Sequence, residues 1–134
     1  MMDRDAIRAL VEQAYQKRDT GDLDGTLAAF HPAGRIKIAG EKTRTAAAIA
    51  VEGHGQLRTM LSDYIAAWGF IHRDIISMVI EGDRAAVHSR VTLRFIPKSK
   101  TVTTDILDLF KVQDGKLIEL IEFVDTATIS DLMQ

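Results

Sequence analysis

The 134-residue sequence contains no cysteine. Disulfides, thiolate metal centres and a cysteine nucleophile are therefore excluded. No apolar run approaches the ~20 residues needed to cross a bilayer as a helix. The opening Met-Met-Asp-Arg-Asp lacks the apolar stretch of a secretion signal. A cytoplasmic location with no membrane partner is the expectation. Basic residues are not in excess: 17 Lys and Arg stand against 19 Asp and Glu, for a formal net charge of −2. No electrostatic footprint for nucleic acid follows from that balance. Repeats, low-complexity tracts and an obvious linker are also missing. What is present is 46% apolar and 27% charged residues, the composition of a soluble globular chain. One domain over residues 1–134 fits that length.

Hydrophobic periodicity divides the chain in two. Residues 3–18 read as a helix, with Ile7, Leu10, Val11, Ala14 and Tyr15 on one stripe. Asp3 and Asp5 favour its positive end, and Lys17 and Arg18 close it. Thr20-Gly21 breaks the pattern, and Asp22 is placed to cap a short helix bearing Leu23, Leu27 and Phe30. Pro32 ends that helix at His31. Residues 35–39 alternate as a short strand. Residues 41–55 give no clear period and suit a flap or a short helix. Residues 56–68 carry Leu57, Met60, Leu61, Tyr64, Ile65 and Trp68 at helical spacing, with Gly69 as the stop.

After Gly69 the period becomes two. Strands are expected over 70–81, 84–96, 101–112 and 116–125. The separators Gly82-Asp83, Pro97-Lys98-Ser99 and Gln113-Asp114-Gly115 are short, which favours antiparallel hairpins. Helices followed by a strand meander indicate an α+β fold, with helices on one face of a curved sheet. The last two strands are apolar on both faces: Ile106 and Phe110 oppose Leu107 and Leu109, and Leu117 and Phe123 oppose Ile118 and Val124. Helices cover one face only. A symmetric homodimer through the outer sheet face is the simplest cover for the other.

Three motifs carry a family resemblance. They are Gly21-Asp22-Leu23-Asp24-Gly25 leading to His31-Pro32, Glu81-Gly82-Asp83-Arg84-Ala85-Ala86-Val87, and Phe110-Lys111-Val112-Gln113-Asp114-Gly115-Lys116-Leu117 followed by Glu122-Phe123-Val124-Asp125. In order and spacing the chain resembles the NTF2-like superfamily, and within it the SnoaL-like and ketosteroid-isomerase-like members. The resemblance implies a cone of curved antiparallel sheet and three helices enclosing a pocket. Its members include isomerases, cyclases, dehydratases, epoxide hydrolases and binding proteins. Compared with ketosteroid isomerases, Asp108 matches the oxyanion-hole acid. Ala14 stands where their tyrosine does, with Tyr15 one place along, and Ile38 stands near their catalytic base. Ketosteroid isomerisation itself is thereby disfavoured. Glu122 matches an acid of the SnoaL-like cyclases.

The turn at 113–116 controls which acids share a face. A two-residue type I′ turn at Asp114-Gly115 sets Asp108 opposite Ile121, on the face of Asp125. A three-residue loop with a glycine bulge sets it opposite Leu120, on the face of Glu122. The family comparison favours the second arrangement, with the two acids as diagonal neighbours. Two carboxyls beneath apolar helices would hold at least one proton and could donate it to a carbonyl or enolate.

The expected catalytic residues are thus Asp108, Glu122 and, near the pocket mouth, His72. Tyr15, Trp68 and Phe110 are expected to contact ligand. No His-x-His or His-x-x-x-His spacing occurs, and no metal is expected. Gly-x-Ser-x-Gly is absent and Gly53-His54-Gly55 is not a dinucleotide fingerprint, so no cofactor is expected either. The expected ligand is a small apolar organic molecule. The expected chemistry, if any, is cofactor-independent acid–base catalysis, with a non-catalytic binding or dimerisation module as the alternative.

Overall fold

The computed structural model describes residues 2–134. Four α-helices and six strands follow in the order α1 (Arg4–Asp19), α2 (Leu23–Ala28), β1 (Phe30–Ile38), β2 (Ile49–Glu52), α3 (His54–Ala67), β3 (Trp68–Glu81), β4 (Arg84–Phe95), β5 (Lys100–Gln113), β6 (Lys116–Val124) and α4 (Thr126–Leu132). The strands form one open, curved sheet in the order β2-β1-β6-β5-β4-β3. The α+β architecture agrees with the sequence reading, with two corrections.

The sheet is mixed. β1, expected within an antiparallel sheet, runs parallel to β6. The first strand lies beside the last, and α3 and the meander intervene, so their directions are not constrained by a hairpin. Among the described residues there are also four α-helices where three were expected. α4 follows β6 because Asp125 caps it, its carboxylate accepting from Thr128 N at 3.1 Å. Ile129 and Leu132, one turn apart on α4, are buried.

The first two helices start where their caps dictate. Asp3 accepts from Ala6 N and Asp22 from Gly25 N, each at 2.8 Å, satisfying first-turn amides. Phe30, expected on α2, instead opens β1, which continues through His31-Pro32. The β1–β6 ladder is interrupted between Phe30 and Arg35, where Pro32 lacks an amide to donate. The 41–55 segment, which has no clear period, holds turns, the short strand β2 and the first two residues of α3. At the other end of α3 no loop intervenes: Trp68 is already extended, and Gly69 lies inside β3.

Two irregularities in the sheet decide what faces inward. Asp114 and Gly115 have φ of +54° and +73°, as a two-residue type I′ turn requires. That turn alone would set Asp108 opposite Ile121. However, Val112 pairs with Leu117 while Lys111 pairs with Glu119, so Ile118 is an extra residue in β6. The register shifts by one and Asp108 lies directly opposite Glu122. Neither loop considered from the sequence predicts that pairing, although the shared face of Asp108 and Glu122 is the one the second loop gave.

β3 carries two bulges, at Ile71 and Ile76, and the first bears on the cavity. Phe70 pairs with Leu93, while His72 pairs with Thr92, leaving Ile71 as the extra residue. His72 is thereby turned onto the outer face, and Arg73, opposite Val91, turns inward. The inner face packs against α1 and α3 through Val87 and Val91 of β4, Phe110 of β5 and Leu117 of β6, all buried.

Candidate active site and ligand cavity

Helices α1 and α3 stand off the sheet and leave a cavity of about 370 Å³. That volume lies within the usual range for small-molecule sites. Its wall is mainly apolar, with Phe30, Ile38, Leu61, Trp68, Phe95 and Phe110 among the lining residues. The 41–48 segment and α4 flank it through Ala46, Ala47, Ile129 and Met133. Thr45 and Ser130 join these two pieces by a hydroxyl–hydroxyl hydrogen bond of 3.0 Å. The polar groups are few and cluster on one side.

Tyr15 and Asp108 form the innermost pair. The Tyr15 hydroxyl donates to Asp108 Oδ2 at 2.6 Å. Asp108 is 1% exposed, and its Oδ1 has no hydrogen-bond partner among the described residues. It lies behind the cavity wall, while Tyr15 and Glu122 line it. Burial raises the pKa of Asp108 well above the ordinary carboxyl range, and the facing Glu122 raises it further. The Tyr15 hydrogen bond and the Arg73 cation oppose the shift without cancelling it. These surroundings favour the protonated form of Asp108. Burial, then the charge of and hydrogen bond to Asp108, push the Tyr15 phenol upward. Tyr15 stays a donor. Its ring packs edge-on against Phe110, with centroids 5.7 Å apart.

Two arginines complete the cluster. Arg73 forms two hydrogen bonds to Asp19, at 2.8 and 3.0 Å. It also lies 4.0 Å over the Tyr15 ring and 4.5 Å over Phe70. Burial lowers its pKa, but Asp19 more than compensates, so it remains a cation. Arg18 donates from Nη2 to the carbonyls of Tyr64 and Trp68 at 3.2 and 3.0 Å. Both carbonyls lie where α3 passes into β3, and that of Tyr64 also accepts from Trp68 N.

The expected site residues divide accordingly. Asp108, Glu122, Tyr15, Trp68 and Phe110 gather at the cavity. His72 does not: its side chain is 64% exposed on the outer face and pairs with Asp74 at 3.0 Å. It was expected at the pocket mouth from its place near the start of the strand, and the extra residue Ile71 turns it onto the outer face. Asp125, the other acid considered in the register argument, is the α4 cap and is exposed.

Sequence reasoning missed Arg18, Arg73 and Asp19, and read Tyr64, which also lines the cavity, only as part of an apolar helical stripe. For Arg18 a signal existed. It follows Ala14 and Tyr15 by four and three residues, so it continues the α1 stripe by one turn. It was read only as a helix-closing charge. Arg73 gives no such signal, because its orientation depends on the bulge.

The SnoaL-like domain family model matches residues 4–120, and the chain belongs to that family. No curated protein sequence matches significantly. Solved structures share the fold. An NTF2-like protein of unknown function from Burkholderia pseudomallei superposes with a TM-score of 0.82 at 16% identity, covering 96% of this chain and 98% of that one. An LEH-like epoxide hydrolase from M. tuberculosis gives 0.72 at 20% identity, covering 91% and 84%. TerC, co-crystallized with polyporic acid, gives 0.80 at 18% identity, covering 96% and 98%. At such identities the likeness is one of fold.

Proposed function

We propose that this SnoaL-like domain binds a small apolar organic molecule in its cavity and performs cofactor-independent acid–base chemistry on it. The reactions this covers are isomerisation, cyclisation, dehydration and hydrolysis. One observation carries the reading: a buried Asp108, whose surroundings favour its protonated form, faces Glu122 across one strand pair, with Tyr15 hydrogen-bonded to it, beside a mainly apolar cavity. Two carboxyls in such different surroundings suit an acid and a base. Glu122 lines the cavity and takes the proton. Asp108 and Tyr15 form a hydrogen-bonded unit that supplies or steadies one. TerC, on the same fold, was crystallized with polyporic acid, a precedent for an organic ligand in this architecture.

Protein purified without stripping is expected to carry a small apolar molecule, detectable by mass spectrometry of a solvent extract. Ala14→Leu, which fills cavity space, should displace it from a folded protein. Once the ligand is known, Glu122→Gln should lower turnover by about 10²–10⁴-fold. A cavity empty in every preparation, with Asp108 titrating as an ordinary carboxyl by NMR, would sink the proposal. A binding role without turnover is the second reading. It is favoured by Ile38 and Ala14, which line the cavity with apolar groups where ketosteroid isomerases carry polar ones.

We also propose a homodimer through the outer sheet face, in the cytoplasm. Among the described residues, no helix is long and apolar enough to cross a membrane. Val79, Leu107, Leu109 and Phe123 are 63%, 40%, 36% and 38% exposed. Val79 and Leu109 flank Ala86 in one row across β3, β4 and β5. Such a row costs solvation unless covered. Sedimentation should give twice the chain mass, and Val79→Lys with Leu109→Lys should give the monomer. A wild-type monomer at high concentration would refute it.

A further inference from the structure

One part of the cavity wall is neither helix nor strand. Residues 40–48 pass from β1 to β2 as a strap, and its Ala46 and Ala47 line the cavity along with Ile129 and Met133 of α4. The strap is closed on itself. The amides of Arg44 and Thr45 donate to the Glu41 carbonyl at 2.9 and 3.0 Å. The Glu41 carboxylate accepts from the amide and the hydroxyl of Thr43 at 3.2 and 3.1 Å. The two ends nearly touch: a Cβ built on Gly40, whose φ is +152°, would lie 3.2 Å from the Ala48 Cβ. A loop whose ends meet and which packs on its own side chains is an Ω-type loop.

Little holds the strap down. Among the described residues, one hydrogen bond joins it to the rest of the chain, between Thr45 Oγ1 and Ser130 Oγ at 3.0 Å. It sends one buried side chain, Ala47, into the apolar cluster of Val91, Leu93, Phe95 and Ile106. Apolar stabilisation follows buried area, and an alanine offers a single methyl. α4 enters the same cluster with Ile129 and Leu132. Its far end is tied as well, by Lys100 Nζ donating to the Gln134 carbonyl at 2.6 Å. Of the two pieces, α4 is the anchored one. The strap tip, from Glu41 to Arg44, is polar and exposed, so lifting it brings little apolar surface into water.

We propose that the 40–48 strap is the door of the cavity, moving against a fixed α4 and latched by the Thr45–Ser130 hydrogen bond. This rests on the reading that the cavity takes a small apolar ligand. Ligand passes where Ala46 and Ala47 part from Ile129 and Met133. The door must open for entry and for exit, so the latch slows both. A latch that closes equally well with and without ligand leaves affinity unchanged.

The test uses 6-propionyl-2-dimethylaminonaphthalene, a neutral dye that brightens in apolar surroundings, with rates read by stopped flow. Ser130→Ala removes the one side-chain hydrogen bond that Ser130 makes among the described residues. Association and dissociation should both quicken by about three- to ten-fold, with Kd held within about two-fold. Thr45→Cys with Ser130→Cys should act in the opposite sense. The chain has no other cysteine, so within one chain oxidation joins only this pair. Oxidised, both rates should fall at least about ten-fold, and dithiothreitol should restore them. Ser130→Ala decides by itself should the pair resist oxidation. Wild-type rates in Ser130→Ala would overturn the proposal. So would a change in dissociation alone with a matching change in Kd, which is the mark of an ordinary wall contact. A dye that does not bind wild type would instead sink the ligand-cavity reading, and the door with it.

Discussion

Asp108→Asn is expected to be more stable than the wild-type protein at neutral pH, by a margin that grows as pH rises. The folded protein holds a proton on Asp108 that the unfolded chain releases above about pH 4. Stability contributed by the protonated acid is complete below that point. It is lost as pH rises towards the raised folded-state value. The folded state binds more protons than the unfolded one across that window, so the wild-type slope is negative, at most about 1.4 kcal/mol per pH unit. Asparagine removes the slope and keeps the shape. Its carbonyl can accept from the Tyr15 hydroxyl, and its amide can donate towards Glu122. Urea denaturation at a series of pH values measures the gap directly. In a Glu122→Gln background the gap should narrow, because the facing charge is the second cause of the shift, but burial should keep it open. Parallel stability curves for wild type and Asp108→Asn would mean that Asp108 is ionised in the folded protein.

The second large effect is expected at Arg73. Its side chain is 9% exposed and that of Asp19 is 21% exposed, so the pair is more than half removed from water. Breaking a buried pair from one side leaves the other charge uncompensated. Arg73→Met should therefore cost about 3–5 kcal/mol. Part of that loss is the packing of the guanidinium over Tyr15 and Phe70. Adding Asp19→Asn should recover much of it, because the stranded carboxylate disappears. A double-mutant cycle in urea isolates the pair, and coupling below about 1 kcal/mol would place it with ordinary surface pairs. The variant should also loosen Tyr15, which loses the cation stacked on its ring.

Much of the architecture was legible because each local signal agreed with the global one. The α1 stripe from Ile7 to Tyr15, the Asp22 cap and the period-two meander after Gly69 all name elements that formed. Failures came where the chain carries one residue more than a regular element needs. Ile118 and Ile71 are ordinary strand residues, and nothing about them announces a bulge. One of them pairs Asp108 with Glu122, and the other exchanges His72 for Arg73. β1 was shortened because Pro32 was read only as a helix stop, although an irregular strand tolerates proline. α4 was overlooked because its apolar pattern is only one turn long. The acids of the site were visible as residue types in strands of known period. The arginines were not, because an arginine on a strand or a helix end usually marks solvent.

The bulge at Ile71 also bears on how much change of length the site can absorb. Strand β3 carries a spare residue just ahead of the cavity. Losing Ile71 would straighten the ladder and leave Phe70 opposite Leu93, His72 opposite Thr92 and Arg73 opposite Val91. Losing His72 instead would bring Ile71 opposite Thr92, again with Arg73 opposite Val91. Either way the guanidinium keeps its place in the wall. A deletion of one residue here trims the outer face and spares the inner one, a slack that a regular strand does not have.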